Sequence, residues 1–436
     1  MMKKCLIALA ALLFATILSA CASAARTNVL VYMSGSDLES ESASGTADLN
    51  EMVAAGIGPD AEVTVLVETG GAQYWHKQGV YARANQIHRV TQEGVSTLKT
   101  LPAASMGSGE TLAAFLAFAR ENNPAERTLL VLWGHGDGPD GGVCFDDLHD
   151  DDTLTPEEIA AALADAEAAG QRVEAVILDA CLMSCADLLH ALGPHTDYIV
   201  ASQASTLASG CNYRDWLGLL ADAPETDTAA LCARIAQSYI ETTRHGAFSV
   251  ASTMSVLDAR QSEAVWRAAE ALYARLDATL PAGRDALFAA RAGVTSFGEE
   301  DDGAASNLVD ADRLCVALQD IAPKECAALR AAVKRAVLLC ESSGKMTGRV
   351  CGLSLYMPDE SAARSSFLYA HYRPKRQESA YARLILSMAD LARSSRSASS
   401  AAQRTPAVNR FHIWQGLGAP RPYAGALWEG LEAPSA

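Results

Sequence analysis

Short apolar runs punctuate the chain at intervals that suit buried strands. Asn28-Val29-Leu30-Val31-Tyr32-Met33 is the first, and Glu62 to Glu68, rich in Val, is the second. A Gly-led stretch from Val80 to Val90 alternates loosely and predicts a hairpin at a sheet edge. Ser108 to Arg120 carries helical spacing through Leu112, Phe115, Leu116 and Ala119. Leu129 to Trp133 predicts a third strand, Val173 to Leu178 a fourth and Tyr198 to Ala201 a fifth. Between the third and fourth, Thr155-Pro156-Glu157-Glu158 is a capping box with proline in the first turn. It opens a helix to about Ala169, where Gly170 ends it.

Strands alternating with helices predict an α/β fold, a mostly parallel sheet covered by helices on both faces. From Asp222 to Leu338 the pattern turns mainly helical, with a strand-like patch at Phe248 to Val256. A last strand is expected within Val350 to Met357, stopped by Pro358. The core is therefore placed at 28–220 and a more helical C-terminal portion at 221–393. Residues 394–436, poor in periodicity and later rich in proline, read as a mobile tail.

Composition narrows the function. The 436 residues carry a net charge of −17, and no Lys/Arg cluster, finger or phosphate-loop pattern is present. A nucleic-acid partner is thereby disfavoured, whereas basic peptides would be attracted. Nothing in the pattern calls for assembly, and a monomer is expected.

The first residues change the compartment. Lys3 and Lys4 precede an apolar run from Leu6 to Leu18, too short to span a bilayer, followed by Leu18-Ser19-Ala20-Cys21. This resembles a bacterial lipobox: 1–20 would be a signal peptide, Cys21 the lipidated first residue and 21–27 a linker. The expected location is the cell envelope, on its periplasmic face or surface, with the N-terminal lipid as membrane anchor. Of eleven Cys, Cys5 leaves with the signal, and no Cys-x-x-Cys pair suggests zinc. Cys315, Cys326, Cys340 and Cys351 are open to disulfides or to buried free thiols alike.

Two strand ends share one design. Leu129-Leu130-Val131-Leu132-Trp133 runs into Gly134-His135-Gly136, and Ala175-Val176-Ile177-Leu178 into Asp179-Ala180-Cys181. In an open parallel sheet, ligands gather beyond the carboxyl ends of strands, so both reactive residues belong to one edge. Cys181 as nucleophile needs activation, because a free thiol is only a few per cent thiolate near neutral pH. His135 can move the proton. The N–H groups of Gly136 and Cys181 would form an oxyanion hole. The segment Leu182 to Leu192 reads as a helix whose start would favour a thiolate.

A hydrophobic block ending in His-Gly and another ending in Ala-Cys resemble the clan of caspases, gingipains, legumains and clostripain. The finer text is similar to the clostripain-like peptidases: Val31-Tyr32-Met33 followed by Asp37-Leu38-Glu39, Trp133-Gly134-His135-Gly136, and Asp179-Ala180-Cys181-Leu182-Met183. Ala201-Ser202-Gln203, Gly210 with Tyr213, and Gly352-Leu353-Ser354-Leu355-Tyr356 also fit, over about residues 28 to 390. The resemblance implies a caspase-like α/β fold and a cysteine endopeptidase with a His135–Cys181 dyad, working through a thioester. It also implies a preference for Arg or Lys before the scissile bond, read by an acidic pocket. Asp179 matches one acid of that pocket, but the second is Ser209 here, and the Glu often found after Ser-Gln is Ala204. The alternative reading is an inactive relative serving as a peptide-binding surface lipoprotein.

Rival residues are weaker. His245-Gly246 follows no buried strand, and Cys185 lacks the strand-end position. Asp137, Asp140, Asp146, Asp147, Asp150, Asp151 and Asp152 follow His135. Calcium, used by some clostripain-like enzymes, would suit such a loop, but a solvated acidic loop is favoured and no cofactor is assigned. His190 and His195 lack a third ligand. No Lys or Arg occurs between Arg127 and Arg172, so a single chain uncut between the two sites is expected.

Overall fold

A computed structural model describes residues 25–244, 251–298, 306–373, 375, 377 and 379–398. The signal and lipobox with Cys21, His245-Gly246, Phe248 and the segment 399–436 lie outside the described residues. The chain runs through β1 (Ala25–Ser34), β2 (Val63–Gly70), β3 (Ala84–Thr91), β4 (Gly94–Pro102) and β5 (Ala125–Trp133). It continues through β6 (Val143–Asp146), β7 (Asp152–Leu154), β8 (Val173–Asp179), β9 (Tyr198–Ala201) and β10 (Thr253–Asp258). It ends with β11 (Leu308–Asp310), β12 (Val337–Ser342) and β13 (Ser354–Tyr356).

Among the described residues, nine strands form one sheet in the order β12-β10-β9-β8-β5-β1-β2-β3-β4. The five central strands, β9-β8-β5-β1-β2, are parallel. Antiparallel pairs extend both edges: the β3–β4 hairpin on one side, β10 and β12 on the other. Two smaller sheets, β6–β7 and β11–β13, stand apart.

The alternation of side chains across each strand builds a core on each face. Leu30, Leu130, Leu132, Val176 and Leu178 pack on one face against the helices Gly109–Asn122 and Pro156–Ala168, among others. Val29, Val31, Leu129, Val131 and Ile177 pack on the other, against Ser44–Ala54, Tyr213–Asp222 and Thr228–Arg244. Being buried on both faces, β1, β5 and β8 read as continuous apolar runs, which is why they stand out in the sequence.

The elements depart from expectation in four places. The hairpin is real but occupies 84–102, because Val80 to Arg83 is irregular. β12 lies where helical text was expected to end, and its half-exposed edge position blurs its pattern. The segment after Cys181 is not helical at once. A turn with Leu182 at φ +66° intervenes, and the helix spans only Ala186–Leu192. The helix dipole is therefore not delivered directly to the Cys181 thiol. The expected tail is helical at its start, since the helix Ala380–Ala398 continues past Arg393.

Candidate active site

The chain winds from β1 toward β2 on one side and returns through β5, β8 and β9 on the other. The strand order therefore reverses between β1 and β5, the kind of crevice where α/β sheets bind ligands. The register is even: Met33 pairs Trp133, and Trp133 pairs Asp179. The segments that leave these strands emerge side by side. Four adjacent parallel strands, in the order β1, β5, β8, β9, thus deliver Asp37, His135, Cys181 and Thr206 to one edge.

His135 is mostly buried, and its Nε2 lies 2.5 Å from Asp37 Oδ1. The Phe145 ring meets the imidazole edge-on, with centroids 6.0 Å apart. Burial raises the Asp37 carboxyl, but hydrogen bonds from His135 and Ser36 and the His135 charge outweigh it and hold the acid below its usual range. Asp147, nearby, is pushed up to about 6 by burial and by the negative charge of Asp37.

Cys181 is buried, with 9% of its surface exposed. The Thr206 N–H donates to its Sγ at 3.2 Å, and the Thr206 hydroxyl lies 3.4 Å from the same sulfur. A donor aimed at sulfur favours the thiolate, the role expected of the helix start. The thiol of Cys185 is fully buried, and burial drives it well above the ordinary range. It is a core residue, away from solvent.

Gly136 touches the Cys181 backbone. A Cβ there would lie 2.4 Å from the Cys181 carbonyl oxygen and 3.0 Å from the Ala180 Cβ, so no side chain fits. Gly136 bridges to Val143, with Asp137 N–H donating to Gly142 and Cys144 N–H to His135. That pairing leaves the Gly136 N–H out of the bridge.

Asp179 is buried behind Cys181 and accepts from the Cys211 N–H at 3.0 Å and the Tyr213 hydroxyl at 2.8 Å. A second carboxylate, Asp48, comes from the helix Ser44–Ala54 and accepts from Trp133 Nε1 at 2.6 Å. Burial first, and for Asp48 the Asp179 charge next, pushes both acids upward. Ser209 is exposed on the turn just before Gly210, which covers the two acids. The buried Gln203 ties the edge to the C-terminal portion: it donates to Asp310 and Ser354 and accepts from the Gly352 N–H.

The acidic residues after His135 are not uniformly solvated. Asp146 is buried and accepts from the Met106 N–H at 2.7 Å, and Asp140 accepts from the Tyr372 hydroxyl at 2.7 Å. Among the described residues, no group of three or more His, Cys, Asp or Glu is arranged to hold a metal ion. The described cysteines, Cys315, Cys326, Cys340 and Cys351 included, are free thiols. No described helix is long and apolar enough to cross a membrane.

Asp37, Asp48 and Thr206 were not singled out as site residues from the sequence. Asp37 belongs to the Asp37-Leu38-Glu39 run that resembles the clostripain-like peptidases. Asp48 sits among the buried positions Ser44, Gly45, Leu49 and Met52, and an acid on an apolar helix stripe is a legible signal. Thr206 acts through its backbone N–H, which no sequence pattern marks.

A five-strand parallel core with His and Cys on adjacent strand ends defines a caspase-like α/β fold of the cysteine-peptidase kind. The sequence profile of the clostripain family matches residues 31–383, and the chain belongs to that family of cysteine peptidases. Among solved structures, it is similar to an inactive zymogen C11 protease from Parabacteroides distasonis. Identity is 19% and the TM-score 0.62, over 83% of this chain and 99% of that one. It is also similar to a secreted C11 cysteine protease from Bacteroides thetaiotaomicron, solved with an irreversible peptide inhibitor. There identity is 18% and the TM-score 0.60, with the same coverage. No curated protein matches the chain.

Proposed function

We propose that this protein is a lipid-anchored cysteine endopeptidase that cleaves after Arg or Lys, with Cys181 as nucleophile and His135 as its acid/base partner. The observation that carries the reading is the delivery of both residues from adjacent parallel strands, with Gly136 pressed against the Cys181 backbone.

In this reading Cys181 Sγ attacks the scissile carbonyl carbon while its proton passes to His135. The oxyanion takes hydrogen bonds from the N–H groups of Gly136 and Cys181, each worth about 3 kcal/mol of barrier. His135 returns the proton to the departing amine as the C–N bond breaks, leaving a thioester. Water, deprotonated by His135, then cleaves the thioester and restores the thiol. Asp179 and Asp48 together support basic specificity, since Asp48 supplies a second acid where the family's is replaced by Ser209. The Cys21 lipid would hold the enzyme at the cell envelope.

A diverse peptide library tests the reading. Wild type should cut after Arg or Lys, and Cys181→Ala should cut nothing. Binding of peptides without turnover by wild type would favour the inactive, peptide-binding alternative.

A further inference from the structure

We propose that Asp37 is a positioning residue for His135, making the proposed dyad a Cys181–His135–Asp37 relay. This rests on the peptidase reading for its chemical consequence, but on geometry for its existence.

Asp37 is held in place before it holds anything else. Past the end of β1, the Gly35 and Ser36 N–H groups donate to the carbonyls of Gly70 and Gly71 at 2.9 and 3.0 Å, extending the pairing with β2. Ser36 there takes φ +43°, a left-handed conformation that turns the chain sharply. Its hydroxyl donates to Asp37 Oδ1 at 3.2 Å, and the Glu41 N–H donates to the Asp37 carbonyl at 2.8 Å. The carboxylate thus reaches across the crevice between β1 and β5 from a fixed base. Its Oδ1 meets His135 Nε2 at 2.5 Å, a direct carboxylate–imidazole contact of the charge-assisted kind.

That contact assigns the two ring nitrogens. With Nε2 committed to Asp37, proton exchange with sulfur or with the leaving amine falls to Nδ1. An acceptor fixed on one nitrogen selects the tautomer and the ring angle, and it stabilises the imidazolium formed during reaction. Asp37 keeps 41% of its side chain exposed, so water screens its charge and orientation is the larger part of its effect. Asp147 also faces this pair, with Asp146 and Asp151 beyond it. Asp37 makes a hydrogen bond to the ring at Nε2.

The test compares the full wild-type chain with Asp37→Asn and Asp37→Glu. Two quantities are read: kcat and KM on a peptide that wild type cleaves, and carbamidomethylation of Cys181 by iodoacetamide at about pH 6 and about pH 9.5. The second needs no turnover, so it judges Asp37 even if the peptidase reading fails. Asp37→Asn should fold normally and lower kcat by about 100-fold, with KM within about threefold. It should slow carbamidomethylation about tenfold at the lower pH and less than about twofold at the higher, where the thiolate forms unaided. Asp37→Glu keeps the charge but not the length, and should fall in between. A chain that cleaves no peptide yet shows this alkylation contrast keeps the assignment while losing the peptidase reading. An Asp37→Asn protein with the wild-type alkylation contrast overturns the assignment, as does one that loses only melting temperature. If Asp37→Asn does not fold, Asp37→Glu decides: unchanged kcat and unchanged alkylation sink the idea.

Discussion

Asp48 and Asp179 meet beneath one glycine: a Cβ on Gly210 would lie 2.4 Å from Asp48 Oδ2 and 3.0 Å from Asp179 Oδ2. Gly210 has φ +62°, so the loop needs glycine for its backbone as well as for the space. Burial acts on both carboxyls, and each disfavours ionisation of the other. An external cation would reverse that, because a neighbouring positive charge favours both ionised forms.

If these acids read a basic side chain, Asp48→Asn should raise KM for Arg and Lys peptides about tenfold, the loss of about 1.4 kcal/mol of binding. Because both acids are raised in the free protein, KM for those peptides should also rise as pH falls. Steady-state kinetics on matched basic and apolar peptides check both points. An equal change for apolar peptides would show that Asp48 supports the fold and not the specificity.

Gly136→Ala offers a second test of the edge geometry. The new methyl collides with the Cys181 carbonyl, and that backbone cannot move without disturbing β8. Activity should fall at least about 100-fold, with a stability loss of about 1–3 kcal/mol from overpacking. Thermal melts beside peptide cleavage separate the two effects. A variant with wild-type turnover would place the reaction elsewhere.

Much of this was legible in the sequence because the central strands are buried on both faces. β1, β5 and β8 each carry an apolar run, Val29 to Met33, Leu129 to Trp133 and Ala175 to Leu178, and the last two end just before His135 and Cys181. The Thr155 capping box and its helix formed as read, because both halves of the box are local. β12 was not legible: as an edge strand with Leu338 exposed, it lacks the buried run. β6 and β7 are too short to show a period. The Asp48–Asp179 pair and the Thr206 contact are long-range meetings that depend on register, and no local pattern carries them.

Glu68 gives a stability prediction independent of activity. It is buried in β2 and pushed up to about 8 by burial, with Asn85 and Lys99 opposing. The folded chain therefore holds a proton that the unfolded chain releases above its ordinary value near 4.5. Stability contributed by this group is present at low pH and declines as pH rises through that window to about 8. At pH 7 the penalty is on the order of 3 kcal/mol. Glu68→Gln should flatten the decline and melt higher at about pH 8 than wild type. Parallel pH-dependent melts for the two proteins would contradict this.

Chain integrity is a third property open to measurement. The segment 128–171 contains no Lys or Arg, and Arg172 is tied to Glu167 and, at 3.0 Å, to Asp197 at the entrance of β8. Between His135 and Cys181 an enzyme that prefers basic residues finds only Arg172, where cleavage would cut into the start of β8. Intact-mass analysis of active protein should show no cut there, and two fragments split between residues 136 and 171 would refute it.

The central claim is that Cys181 is the nucleophile, and covalent labelling tests it most directly. A peptide ending in an Arg-derived acylating or alkylating group should add one label per chain, mapped by mass spectrometry to Cys181. The adduct should be lost in Cys181→Ala, strongly slowed in His135→Ala and retained in Cys185→Ala. A label on another cysteine, or undiminished labelling of Cys181→Ala, would contradict the account.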